Sequence, residues 1–531
     1  MGNTLSLFRL ALKEFIDNLR VYQALQAKAL ASPGFPRPNS TLPYWTVPPS
    51  PIAHHISELP DYADVVIIGS GITGTSVARA LLDRCQKEGR RVKVVMLEAR
   101  EACSGATGRN GGHMTPPLYH DYLSLKQEFG EAMAHKIIRF RLAHIDEMRR
   151  IAEKEGILAE SQARHVETAD VYFKQEMFDK AKAKMEQWAK EMSLEAATHR
   201  VYEGREAIET FNLASDTVGC IACTAGAMHP YRLVTGVLER LLERHSESFS
   251  LCTQTPCTSI SAPSSSSPHY VLSTPRGTIS TSHIIHATNG WASTLLEPMR
   301  GKIIPFRGTM SAQRPGRTLT PKALSGQRSF VFYSAKLGYD YLTQLPGPPT
   351  GSYELMLGGG FAQDGEQGLE ALANADDTVY DRTVGAHLSG VLPRYFGEDN
   401  WGAESGPGEN GESLWSGVLG ISADMRPWVG RVPTSVSGRP EPSRATSDVT
   451  EEEKGDVLRP LAAPGEWIAA GYSGEGMVHA WMCGKALAAM VLNREVDDGL
   501  AGWFPDAMRI NEKRWKKASP EGLLEMLSND E

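Results

Sequence analysis

The chain has 531 residues, 41% of them apolar and 22% charged, which excludes disordered, collagen-like and coiled-coil classes for its body. With 55 Lys+Arg against 63 Asp+Glu the formal charge is −8, and no long basic run accompanies it, so no nucleic-acid partner is expected. Seven cysteines are no disulfide framework in a chain this size, and no stretch of about 20 apolar residues is present to span a membrane, so the expectation is a soluble cytoplasmic protein.

Residues 1–30 read as one amphipathic helix, because Leu5, Phe8, Leu12, Phe15, Leu19 and Tyr22 recur at steps of three and four. Arg9, Lys13, Glu14, Asp17 and Arg20 break up the apolar core that a secretory signal needs. Met1-Gly2-Asn3-Thr4-Leu5-Ser6 fits a short myristoylation pattern, but one acyl chain anchors only marginally. Packing on the body of the protein is therefore preferred to peripheral membrane contact through this helix. Residues 31–60 are a spacer, held extended by Pro33, Pro36, Pro38, Pro43, Pro48, Pro49 and Pro51.

Asp64 to Ile68 is a continuous β-branched run, as expected for a parallel strand buried on both faces. It enters Gly69-Ser70-Gly71-Ile72-Thr73-Gly74, followed by a helical segment from Thr75 to Arg84 and a strand from Val92 to Leu97 that ends at Glu98. Gly69 permits the tight turn, Gly71 lets backbone approach a pyrophosphate, and Gly74 allows helix to pack closely on strand. The helix N-terminus supplies unpaired N–H groups to the anion. A carboxylate at Glu98 accepts from ribose hydroxyls, favouring NAD or FAD over NADP. The bare pattern is weak, since Gly406-Pro407-Gly408-Glu409-Asn410-Gly411 also matches it without strand or helix and reads as a loop.

Beyond Glu98-Ala99-Arg100 lies a loop rich in glycine and small polar residues, with Ser104, Gly105, Ala106, Thr107, Arg109, Asn110, Gly111 and Gly112 before His113. Such a loop costs conformational entropy and suits backbone laid against a large flat ligand. Arg109 and Asn110 are placed to answer phosphate and ribitol oxygens. Cys220-Ile221-Ala222-Cys223 has no second ligand pair at metal spacing, so two buried thiols in a strand are expected and no metal. Near the other end, an apolar strand from Trp467 to Ala470 runs into Gly471-Tyr472-Ser473-Gly474-Glu475-Gly476-Met477 and a helix from Val478 to about Leu492. That second helix N-terminus can face a ligand carrying negative charge.

These segments resemble the D-amino-acid oxidase and glycine/sarcosine oxidase superfamily of FAD-dependent oxidoreductases. The look is closest to the γ-glutamylputrescine oxidase branch, through Ser104-Gly105-Ala106-Thr107-Gly108-Arg109-Asn110-Gly111-Gly112. Gly226-Ala227-Met228-His229-Pro230, a stretch from Thr255 to Ile260 that looks like the adenine-covering strand, and His286-Ala287-Thr288-Asn289-Gly290-Trp291 follow in family order. Pro305-Phe306-Arg307-Gly308 and Ser422-Ala423-Asp424-Met425-Arg426-Pro427 complete the set. The resemblance adds Cys257, Ala287, Thr288, Asn289 and Trp291 to the expected FAD contacts.

The resemblance implies an α/β (α+β overall) fold, a Rossmann-type FAD-binding domain with an inserted antiparallel-sheet substrate domain. Residues 61–115, 220–300 and 412–500 are assigned to the first, 116–219 and 301–411 to the second, 434–458 to a surface insertion and 501–531 to a tail. Val331 to Tyr333, Asp340 to Gln344 and Leu355 to Gly358 read as strands of the second domain.

The implied activity is oxidation of the C–N bond of an amine or amino acid by hydride transfer to flavin N5. An imine results, and the electrons pass to O2 or another acceptor. His113 either reaches the isoalloxazine or substrate, or holds its own turn. Tyr341 falls where sarcosine-oxidase relatives place an active-site tyrosine, with Tyr333 and Tyr339 competing. Arg307 either binds a substrate carboxylate or serves structure. Met356 stands where those relatives carry a lysine that promotes oxygen reduction, which counts against efficient oxidase activity. No cysteine occurs from Trp415 to Gly420, where they tether flavin, so FAD is expected to be non-covalent. The rival readings are a tailoring oxidase of a larger amine-containing metabolite, and a flavoprotein with structural FAD and a docking N-terminal helix.

Overall fold

The computed structural model describes the chain except residues 1–21, 266, 320–323, 335–337, 350, 364–369, 403–412, 444–459 and 524–531. Most of the N-terminal stripe, the Gly406–Gly411 loop and most of the 434–458 insertion thus lie outside the described residues. Residues 22–30 are helical, and Leu25 and Ala29 pack with Ile304, Leu372 and Leu523.

In chain order the strands begin with β1 (Tyr62–Ile68), β2 (Val94–Leu97), β3 (His113–Met114), β4 (Arg164–Tyr172), β5 (Arg200–Glu203) and β6 (Gly219–Ala227). Next come β7 (Phe249–Cys252), β8 (Ser259–Ser261), β9 (Tyr270–Thr274), β10 (Gly277–His286), β11 (Ile303–Gln313) and β12 (Arg328–Tyr333). The last are β13 (Asp340–Gln344), β14 (Leu355–Gly359), β15 (Ser413–Ser422), β16 (Trp428–Arg431) and β17 (Gly465–Ala470).

The first sheet has the order β16-β17-β10-β1-β2-β7, with β9 on β10 and β8 on β9. Its centre is parallel, β17 beside β10, β10 beside β1, β1 beside β2 and β2 beside β7. The sequence accounts for this: from Val65 to Ile68 every residue of β1 is buried, so both faces must be covered. Val65 and Ile67 pack with helix residues such as Val77 and Leu81, while Val66 and Ile68 pack with Tyr270 and Leu272 of β9. The helix Ile72–Lys87 links β1 to β2 and packs on the helix Ala480–Val491. Gly484 makes that contact possible, since a Cβ there would lie 2.8 Å from the Thr73 carbonyl oxygen. The second sheet runs β15-β11-β14-β13-β12-β4-β6-β3, with β5 on β6, and is antiparallel except at the β12–β4 seam.

Three assignments shift. Residues 220–227, expected in the FAD domain, belong with Gly219 to β6, which pairs along the whole of β4 from Arg164↔Ala227 to Tyr172↔Gly219. Its small residues carry no alternation that would have marked a sheet face. Residues 413–422 likewise pair with β11 from Ala312↔Ser413 to Ile303↔Ser422 and belong to the second sheet. The stretch from Thr255 to Thr258 is irregular rather than a strand, because Pro256 interrupts pairing; only Ser259–Ser261 pairs, with β9.

Arg439 also corrects the insertion reading, because it turns inward to a core carboxylate. Its guanidinium donates two 2.7 Å bonds to Glu466 on β17, which also shares a 2.9 Å bond with His286 on β10. Burial acts to raise the Glu466 carboxyl, but Arg439 and His286 outweigh it and hold it down at about 2. Stability from this depression is present above the ordinary value of 4.5 and is lost as pH falls toward 2. Replacing Arg439→Met strands a buried charge, and unfolding in urea at neutral pH is expected to show a loss of about 3–5 kcal/mol. In the same variant the acid transition moves to higher pH.

Candidate functional site

The carboxyl ends of parallel strands leave backbone groups facing one crevice, where open α/β sheets bind their ligands. Here Ile68 at the end of β1, Leu97 at the end of β2, Ala287 after β10 and Tyr472 after β17 all line one cavity. Gly69 takes φ +108°, and a Cβ on it would lie 2.6 Å from the Ala287 carbonyl oxygen. A Cβ on Gly74 would lie 2.0 Å from the Gly69 carbonyl oxygen, so the helix sits as close to the turn as backbone allows. The helix N-cap, Gly71, has no side-chain cap, and the Thr107 hydroxyl takes the Ile72 N–H at 3.0 Å.

Glu98 is fixed by three donors: the Ser70 N–H at 3.1 Å, the Ser70 hydroxyl at 2.6 Å and the Arg100 N–H at 3.1 Å. Among the expected contacts, Gly69, Gly71, Ile72, Thr73, Glu98, Ala99, Arg100, Ser104, Gly105, Ala106, Thr107 and Asn110 line the cavity. So do Cys257, Ala287, Thr288, Asn289, Trp291, Gly474, Gly476 and Met477. Three buried donors on lining residues, Arg100 Nε, Ser104 Oγ and Trp291 Nε1, have no partner in the protein. A dinucleotide rich in phosphate, ribose and ring acceptors suits these orphan donors, so the residues present fit FAD.

The remaining contacts lie elsewhere. Arg109 is consumed by the protein: its guanidinium donates to Ser104 O at 2.8 Å, Ser416 O at 2.7 Å and Thr41 O at 2.9 Å. Burial lowers it to about 10, and Asp377 pulls against that. It therefore faces framework rather than phosphate. Asn110 reaches the cavity, yet its amide donates to Thr107 O and accepts from the Gly112 N–H. Gly74, Gly111, Gly112, Gly471 and Glu475 stand behind the lining. Gly112 and Gly471 act through conformation, at φ +70° and +77°. Gly34, Phe35 and Pro36 line the cavity although they belong to the spacer, whose composition signalled only extended chain.

A second group of side chains converges beyond Gly111. A Cβ there would lie 2.8 Å from the Tyr341 ring, which stacks on His113 at 5.9 Å and whose hydroxyl meets Met310 Sδ at 3.0 Å. Burial pushes the Tyr341 phenol up to about 12 and drops the His113 imidazole to about 4, so His113 is neutral. His113 also bonds Thr115, which favours its turn-holding role. Tyr333 stacks on Tyr172 at 5.0 Å and shares a 3.0 Å bond with His120, while Tyr119 donates to Asp170. Tyr339, at 5.8 Å from Tyr333, is 52% exposed, yet burial raises its phenol, and Glu475, Asp121 and Asp170 raise it further. The exposed Tyr339 ring, with Tyr333 beside it and these carboxylates acting on it, borders a candidate substrate recess.

Arg141 is buried, donating to Asp121 at 2.8 Å and meeting Glu475 at 3.1 Å. Burial raises Glu475 well above the usual carboxylate range, against the pull of Arg141. The sequence reading missed Arg141, although an arginine amid Ile137, Ile138, Phe140 and Ile145 on an amphipathic helix is a signal of a buried partner. Arg307 is not among the cavity-lining residues. Its N–H bonds Ala371 O on the sheet edge, and its charge lowers Asp376.

A family model described as FAD dependent oxidoreductase, DAO, matches residues 64–490. No curated protein matches the chain. Among solved structures, L-proline dehydrogenase from P. horikoshii is similar at 17% identity and TM-score 0.56, covering 85% of this chain and 97% of that one. Glycine oxidase from Geobacillus kaustophilus gives 17% identity and 0.54, covering 82% and 95%. L-Amino acid deaminase from Proteus myxofaciens gives 15% identity and 0.56, covering 86% and 94%. At these identities the likeness shows the fold alone.

Gly74→Ala forces backbone from backbone and is expected to yield protein that fails to retain FAD, read as loss of flavin absorbance after gel filtration. Glu98→Gln keeps the shape but weakens acceptance from a ribose hydroxyl, and FAD titration should show about a 10-fold weaker Kd.

Proposed function

The chain belongs to the DAO family of FAD-dependent oxidoreductases, and on that premise we propose that it oxidises the C–N bond of an amine to an imine. Bound FAD supplies the two-electron acceptor. The observation that carries the substrate reading is the charge of the recess. The carboxylates Asp121, Asp170 and Glu475 all act on the Tyr339 phenol, and Arg141 is held by Asp121 and Glu475. Such a recess attracts a cationic amine. Arg141 is already engaged by two carboxylates, which favours a simple amine over an α-amino acid, whose carboxylate would need a cation of its own. The finer γ-glutamylputrescine assignment is one member of that class.

An ammonium drawn into the recess must lose a proton before the C–H bond beside nitrogen can be oxidised. Glu475, raised by burial, is the carboxylate suited to take it at an Oε atom. Tyr341 and neutral His113 present aromatic faces that orient the apolar part of the substrate. Met356 is fully buried and apolar, which supports an electron acceptor other than dioxygen. Cys257 lines the cavity but its thiol donates to Ser259 O, in keeping with FAD held without a covalent bond.

Anaerobic addition of primary and secondary amines is expected to bleach the flavin, and α-amino acids to do so far more slowly. Bleaching by amino acids alone would overturn the amine assignment. Glu475→Gln should lower kcat/KM about 100-fold and remove the rise of kcat/KM with pH that deprotonation of Glu475 produces. Reoxidation in air should be slower than with an artificial dye. Acid precipitation should leave the yellow colour in the supernatant.

A further inference from the structure

We propose that residues 34–46 are a strap that closes the FAD cavity, with Phe35 and Pro36 acting as cofactor-retaining residues supplied from outside the family domain. The family match starts at residue 64, whereas Gly34, Phe35 and Pro36 form part of the cavity wall. Residues beside them in that wall include Thr294, whose hydroxyl donates to Gly34 O at 2.5 Å.

The strap is anchored at both ends. Upstream, the Gly301 N–H donates to Ala29 O at 3.1 Å, and Leu25 and Ala29 are buried. Downstream, Trp45 is fully buried, its indole N–H donates to Asn110 O in the glycine loop, and its ring packs on His229 at 4.4 Å. Between these points the chain is tied to the cavity's own residues. Arg100 donates to Arg37 O at 3.2 Å, Thr41 N–H donates to Asp377 O at 2.8 Å, and Asp377 accepts from Arg100 at 3.0 Å. Arg109 takes Thr41 O, which gives a physical role to a side chain that does not line the cavity.

Prolines at 33, 36, 38 and 43 keep the strap extended, so its ordering costs less entropy than a flexible lid. Phe35 lines the cavity and is 43% exposed, so its ring keeps surface that a bound ligand can cover. An FAD held in the cavity covers that surface, and departure must uncover it. The strap therefore slows release of the cofactor without touching the reacting atoms.

The test is FAD dissociation from the holoprotein, followed by flavin absorbance on dilution into excess apoflavoprotein trap, with thermal unfolding of the apo form alongside. Phe35→Ala is expected to release FAD roughly 10-fold faster with the apo melting temperature unchanged. Pro36→Gly keeps the ring, loosens the chain, and is expected to speed release by several-fold. Wild-type release rates in Phe35→Ala overturn the proposal. An apo melting temperature that falls as far as that of the holoprotein also overturns it, since the segment would then serve folding alone. Either failure leaves the flavin assignment intact, because wild-type protein still takes up FAD.

Discussion

Backbone packed on backbone, where the helix Ile72–Lys87 meets the turn after β1, sets the geometry of the rest of the molecule. The missing side chain of Gly74 brings that helix onto the Gly69 carbonyl, and the missing side chain of Gly484 brings the Ala480–Val491 helix onto the first. Apolar burial drives the helices onto the sheet, but it is non-directional and would accept a looser distance. The two glycines remove the looser solutions. With the helix there, its N-terminus, the Glu98 carboxylate and the end of β17 open onto one crevice.

Charge is then divided between the two sides of that crevice. On the cavity side, buried donors outnumber their protein acceptors, and Arg100, Ser104 and Trp291 keep N–H or O–H groups unspent. On the recess side, one guanidinium, Arg141, is shared between the carboxylates of Asp121 and Glu475. A buried donor without an acceptor is costly, and so is a buried carboxylate without a cation. The first cost is relieved by an anionic dinucleotide, and the second would be relieved by the ammonium substrate proposed above. The two ligands are separated by chemistry before shape sorts them.

The second sheet explains how these sides meet. Strand β3 carries His113 straight from the glycine loop onto β6, and β13 sets Tyr341 over Gly111 and Gly358. The spacer adds a third layer, because its arginine, threonine and tryptophan contacts knit the N-terminal segment to Asn110, Asp377 and Ser416. Residues from four distant parts of the chain thus enclose one cofactor-sized space.

Local pattern was enough for the elements that carry their own signal. The β-branched run of β1, the glycines at 69, 71 and 74, the carboxylate at 98 and the strand–turn around Gly471 are contiguous, and each imposes its geometry through nearby backbone. The sequence by itself therefore determined the Rossmann-type sheet, the glycine turns that open onto the cavity and most of the cavity lining. Tertiary structure alone decided what depends on partners far along the chain. It placed the small-residue strand β6 and the strand β15 in the second sheet, since their register is set by β4 and β11. It turned Arg109 from phosphate to framework, because Thr41 and Ser416 arrive first. It also made a spacer into a wall, since proline fixes a chain's extension but leaves open the surface that the extended chain will cross.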